Sequence, residues 1–145
     1  MCEASANNRL ERIRGLVHET FEAMASERKR KYAYIQLNGV SSFASMMALK
    51  RGQSEELAAI IGLLHNYYKY KTGVPQFPGP NSADTVRPLL KEMNIFTDEE
   101  LTTILRAIFY QKDRTTVHGT YEEIIKDAYV LHLYFSGFES NIGST

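Results

Sequence analysis

The sequence predicts an all-α fold, a single compact helical domain of about six helices. Three observations point to helices. Apolar residues recur at helical spacing along almost the whole chain. Helix-opening signals fall at Ser54-Glu-Glu56, Thr97-Asp-Glu-Glu100 and Thr120-Tyr-Glu-Glu123. The one dense cluster of breakers, two glycines and three prolines, is confined to Thr72 through Pro80.

The elements follow in order. Leu10, Ile13, Leu16, Val17, Phe21 and Met24 define a first helix over about residues 6–30, ending in Arg28-Lys29-Arg30-Lys31. A basic cluster at a helix C-terminus complements the dipole. Ile35, Val40, Phe43, Met47 and Ala48 carry a second helix over about residues 32–50, which Gly52 stops. Ser54 caps a third, with Glu55 and Glu56 against its positive end. Its apolar residues Leu57, Ile60, Ile61 and Leu64 lead to His65 and Asn66. After the proline-rich loop, Asn81 is placed to cap the next helix with Asp84 as reciprocal partner, and Pro88 either kinks that helix or marks its first turn. Thr97 opens a helix through Leu101, Ile104, Leu105, Ile108 and Phe109. The segment from Thr120 opens the last, through Ile124, Ile125, Ala128, Leu131 and Leu133. The organisation is an N-terminal helix (1–30) packed on a helical domain (31–137), with a polar, disordered tail (138–145).

Composition bounds the function classes. A chain of 145 residues buries roughly two-thirds of its unfolded surface without staples. Lys plus Arg and Asp plus Glu are 17 each, so net charge gives no pull toward nucleic acid or an anionic membrane. The single cysteine, Cys2, excludes an internal disulfide framework. The longest apolar run, Leu57 to Leu64, is far short of the ~20 residues a membrane helix needs. The polar N-terminus has no signal-peptide core. These features read as a cytoplasmic protein.

Three segments carry a resemblance: Leu63-Leu64-His65-Asn66 before the Tyr70-Lys-Thr-Gly73 loop, Phe96-Thr-Asp-Glu-Glu100, and Ile125-Lys-Asp-Ala-Tyr-Val-Leu131. In order and spacing they resemble the HD superfamily of metal-dependent phosphohydrolases, more narrowly its small bacterial single-domain members. The resemblance covers about residues 30–135 and implies a helical metal-binding scaffold. In that family an early histidine, a His-Asp pair and a late aspartate hold the metal. Carried over by position, the early histidine falls on Gln36, the pair on His65 and Asn66, and the late aspartate on Tyr129. Asp127 matches a non-ligating aspartate. The places of two further histidines hold Pro78 and Gln111.

Of the four core ligands only His65 remains. Gln36, Asn66 and Tyr129 are neutral donors, a phenol having a pKa near 10. Catalytic metal sites keep about three protein ligands and an open water position, and this set falls short. Tyr129 also brings more volume than an aspartate. The expectation is therefore a degenerate domain with no catalytic residue, no metal and no cofactor, in which Gln36, His65, Asn66 and Tyr129 form a hydrogen-bonded cluster joining three helices. Gln111 completes this vestigial cleft. Taken alone, His65 reads as a satisfied, partly buried histidine near a helix end.

Lys69, Lys71 and Arg87 lie near the loop and can hold a phosphate, with backbone donors around Asn81. The partner expected is a small phosphate-containing ligand or a protein; membrane and nucleic acid are not expected. Asp113 and His118 lie in a polar loop and His18 and His132 within helices, with no spacing that makes a catalytic group. The competing reading is an active metal-dependent phosphohydrolase acting on a nucleotide or phosphate ester with rearranged ligands, for which two further metal-binding side chains must reach His65, the candidates being Asp127, Asp84 and His118. A third is a structural oligomer partner.

Overall fold

The computed structural model describes residues 2–137, with side chains from Arg9 onward. The expected tail at 138–145 lies outside the described residues. Among the described residues there are seven helices and no strand: α1 (Cys2–Glu22), α2 (Glu27–Lys50), α3 (Glu55–Leu64), α4 (Tyr67–Thr72), α5 (Pro78–Met93), α6 (Asp98–Phe109) and α7 (Thr120–Ser136). Six of them have ten residues or more, so the all-α expectation of about six helices holds, with the six-residue α4 added.

α3 is the axis of the core. Every residue from Leu57 to Leu64 is buried, as a helix apolar on all sides requires. It packs against α1, α2, α6 and α7. Ile60, Ile61 and Leu64 meet Leu37 and Val40 of α2, Ile104 and Ile108 of α6, and Ile124 and Ile125 of α7 in one cluster. Gly62 sets the closest approach: a methyl added there would lie 2.5 Å from the Ser41 Cα and 2.8 Å from its nitrogen. The contact is backbone to backbone, and the Ser41 hydroxyl donates to the Ala59 carbonyl at 2.8 Å beside it.

α1 is joined to the rest by Ile13, Val17 and Phe21, all buried, and by Arg9. The Arg9 guanidinium donates to Glu56 of α3, to the Ile95 carbonyl at 3.1 Å, and to both carboxylate oxygens of Glu100 at 2.9 and 3.0 Å. Glu100 also closes the expected capping box of α6: its carboxylate accepts from the Thr97 N–H at 2.9 Å and its own N–H donates to Thr97 Oγ1 at 3.1 Å.

Several boundaries differ from the sequence expectation. The first helix ends at Glu22 rather than near residue 30, because Ser26 caps α2, its Oγ accepting from the Lys29 N–H at 3.2 Å. The run Arg28 to Lys31 therefore opens α2, where cations oppose the helix dipole instead of complementing it. Asn81 is not a cap. α5 begins at Pro78, whose missing N–H costs nothing at a first helical position, and the Asn81 amide donates back to the Gln76 carbonyl at 3.1 Å. Pro88 lies inside α5, not in its first turn. The reciprocal acid of α7 falls one residue early: Gly119 N–H donates to Glu122 at 3.0 Å, while Glu123 accepts from His118 N–H at 3.0 Å.

Candidate functional site

α3 ends at Leu64, and the chain turns through His65 and Asn66 into α4. Both side chains are thereby set behind the core, His65 fully buried and Asn66 nearly so. Gln36, buried on α2, faces them: its side-chain oxygen accepts from the Asn66 amide at 3.2 Å and from the Tyr70 hydroxyl. Gln111, just past α6, donates to the His65 carbonyl at 2.5 Å and to the Ile108 carbonyl at 3.0 Å. The expected polar cluster thus forms in part. Gln36 and Asn66 join, with Tyr70 as the third member. His65 turns elsewhere, and Tyr129 meets it only as a ring, edge-on at 6.2 Å between centroids.

His65 Nδ1 donates to the Gly62 carbonyl at 2.6 Å, which leaves Nε2 as the lone-pair nitrogen. Nε2 is buried with no hydrogen-bond partner, and so is Asn66 Oδ1. Burial pushes the His65 pKa down to about 4; the Gly62 bond opposes this, and the charges of Lys112, His132 and Lys69 add to the lowering. The imidazole is neutral at physiological pH.

The surroundings of this group are cationic. Lys112 is exposed as a residue, yet its ammonium lies 4.0 Å from the centroid of the Tyr129 ring. Lys69 is half-buried, its ammonium 5.6 Å from the Tyr70 centroid and 5.9 Å from that of Tyr32. Burial lowers the pKa of both lysines; Lys112 lowers Lys69 further, and Arg114 lowers Lys112. Among the described residues neither ammonium has a carboxylate partner. Burial also raises the phenols of Tyr32, Tyr70 and Tyr129, so none supplies a negative charge near neutrality.

Lys69 opens onto a cleft of about 580 Å³ between the start of α2 and α4. Ser26, Arg28, Lys29, Tyr32 and Tyr70 are among its walls. The misplaced basic run of α2 is therefore part of this cleft. The other two expected phosphate ligands lie elsewhere. Lys71 is exposed with its ammonium 5.8 Å from the Tyr67 centroid, on the α1 side of α4. Arg87 pairs with Asp84 at 3.2 Å beside a separate groove of about 470 Å³ between α5 and α6.

A divalent metal, as the HD resemblance implies, does not fit this donor set. The two orphaned atoms, His65 Nε2 and Asn66 Oδ1, are neutral, Gln36 already accepts two hydrogen bonds, and Tyr129 stays protonated. The charges of Lys112 and Lys69 reach His65, whereas a divalent cation needs carboxylates to offset it. The acids and histidine that would have to rescue a metal are committed to other partners: Asp127 to Arg51 at 2.7 Å, Asp84 to Arg87, and His118 to Lys126 at 3.0 Å. Among the described residues no three His, Cys, Asp or Glu side chains come together as a metal-binding group.

No protein-family model, curated protein or solved structure matches the chain. Sequence reasoning missed Lys112 and the joining role of Tyr70. Tyr70 carried a usable signal, lying four residues beyond Asn66 and so one helical turn along α4. Lys112 carried none, because its place depends on how the loop after α6 lies against α7.

Proposed function

We propose that this chain is a degenerate HD-like domain that holds a small phosphate-containing ligand in the cleft between α2 and α4 and carries out no metal-dependent hydrolysis. One observation supports this above the others: Arg28 and Lys29 of α2 and Lys69 of α4 line one cleft, with Lys69 over the Tyr32 and Tyr70 rings and no carboxylate paired with it among the described residues. Cations gathered around one cleft repel, and a bound anion offsets that cost. Arg28 and Lys29, at an end of α2 where the dipole disfavours cations, add to the same field. The tyrosines give the ligand's non-phosphate part an apolar wall.

The resemblance supplies the scaffold in this reading, and the replaced ligands explain the loss of hydrolysis. Titration calorimetry with inorganic phosphate tests it. The wild-type chain binds with a stoichiometry near one, and Arg28→Gln and Lys29→Gln each weaken binding about tenfold, on the scale of a charge-assisted hydrogen bond. Equal binding by all three proteins refutes the assignment.

A second reading, a protein-interaction module, rests on a different face. Ile35, Met46 and Leu49 of α2 and Tyr134 and Phe135 of α7 are exposed, each more than half accessible. Phe135 stacks on Phe43 of α2 at 5.8 Å between ring centroids, so apolar side chains of the two helices meet at the surface.

A further inference from the structure

An ammonium is not a nucleophile; a lysine attacks carbonyl carbon only as the neutral amine. Two lysines, Lys126 and Lys31, have a carboxylate partner among the described residues. Lys126, though buried, donates to Glu123 at 2.8 Å and to the Thr116 carbonyl at 3.1 Å, and Lys31 lies 3.6 Å from Glu27. Lys69 is in the opposite setting. It is half-buried against two tyrosine rings, lacks a carboxylate among the described residues, and feels the charge of Lys112. Its ring contacts, at 5.6 and 5.9 Å, lie at the outer limit of cation–π attraction and hold the charged form weakly. Burial beside a second cation is how proteins keep an amine neutral for carbonyl chemistry. Its amine also opens onto a cleft of about 580 Å³ that has Arg28 and Lys29 on its walls.

We propose that Lys69 is a nucleophilic amine that forms a reversible imine with a phosphorylated aldehyde or ketone seated in the α2–α4 cleft. The proposal rests on the phosphate-binding reading above and names the class of ligand. The neutral Nζ adds to the carbonyl carbon while the π pair moves to oxygen. A proton passes from nitrogen to that oxygen, giving a carbinolamine. The nitrogen electron pair then forms the C=N bond as the C–O bond breaks, and the hydroxyl leaves as water with the second amine proton. Nothing is oxidised or reduced. The imine nitrogen takes up a proton, and the ligand's phosphate offsets the resulting charge together with those of Arg28 and Lys29.

The test uses pyridoxal 5′-phosphate as probe on the full chain, with borohydride added to reduce the C=N bond to a stable amine. Peptide mass spectrometry then finds the modified lysines. Lys69 is modified about tenfold or more faster than the exposed Lys50 and Lys91, a modest share of what holding amine and carbonyl together supplies. Inorganic phosphate suppresses modification at Lys69 alone. At saturating probe, Lys112→Gln slows the reaction at Lys69 and leaves Lys50 and Lys91 unchanged. Phosphate binding in the cleft with modification spread evenly over exposed lysines overturns the imine and leaves the binding site standing. Absence of both phosphate binding and selective modification overturns both.

Discussion

His65 makes acid stability a direct readout of this core. Its imidazole is fully buried and neutral, with a pKa near 4 in the fold against 6.5 for an ordinary histidine. Below pH 6.5 the unfolded chain takes up a proton that the folded chain refuses, so unfolding binds protons and stability falls as pH falls. The loss runs from about pH 6.5 to about pH 4 and then stops, because below that both states are protonated. A gap of this size costs about 3 kcal/mol in full, and about 2.5 kcal/mol between pH 7 and pH 4.5. That is a large fraction of the stability of a domain this size. Urea unfolding followed by circular dichroism across this range measures the slope. His65→Gln keeps an amide donor for the Gly62 carbonyl and removes the titration. The variant is less stable at pH 7 but loses about 2.5 kcal/mol less on acidification. His132, also lowered by burial, contributes a residual slope of the same sign in both proteins. An unchanged slope in the variant, or an NMR titration of His65 at its ordinary value, refutes the reasoning.

Other perturbations have equally definite outcomes. Gly62→Ala forces α2 and α3 apart and costs about 1–3 kcal/mol by urea unfolding, since the obstacle is the Ser41 backbone and not a flexible side chain. Thr97→Ala removes the side-chain half of the α6 cap and costs about 1 kcal/mol in the same assay. Arg9→Met releases α1 and costs about 2 kcal/mol, from charge-assisted hydrogen bonds that are partly exposed. The Arg9 guanidinium holds the Glu100 carboxyl below its ordinary range, so this pair's contribution is complete above that range and is lost as pH falls through it. Arg9→Met accordingly flattens the stability profile below about pH 4.5, a window separate from that of His65.

The helical core was legible because its signals are local. The unbroken apolar segment Leu57 to Leu64 marks a helix buried on all sides, and Thr97 with Glu100 marks a helix start that the fold retains. The break between α1 and α2 was missed for a physical reason. Neither Gly nor Pro interrupts residues 23–26, and the apolar period continues on both sides, so only Ser26 followed by Glu27 marks it. That single error moved the basic run from the end of one helix to the start of the next, and hence into the cleft. Gln36, His65 and Asn66 were placed together by position, and their proximity holds. The partners they choose depend on side-chain reach: Tyr70 reaches Gln36, whereas His65 finds the nearer Gly62 carbonyl. Lys69 was singled out as a cation near a loop. The effect of the Lys112 charge on it links segments 43 residues apart and arises from packing alone.

The proposed function turns on whether the cationic cleft selects an anion without help from a metal. Amide-resolved NMR of chelator-treated protein, titrated with inorganic phosphate, tests this directly. Saturable shifts confined to Ser26–Tyr32 and Lys69–Gly73 are the predicted result. Shifts that appear only after a divalent cation is added, or that spread over the surface without saturating, contradict it.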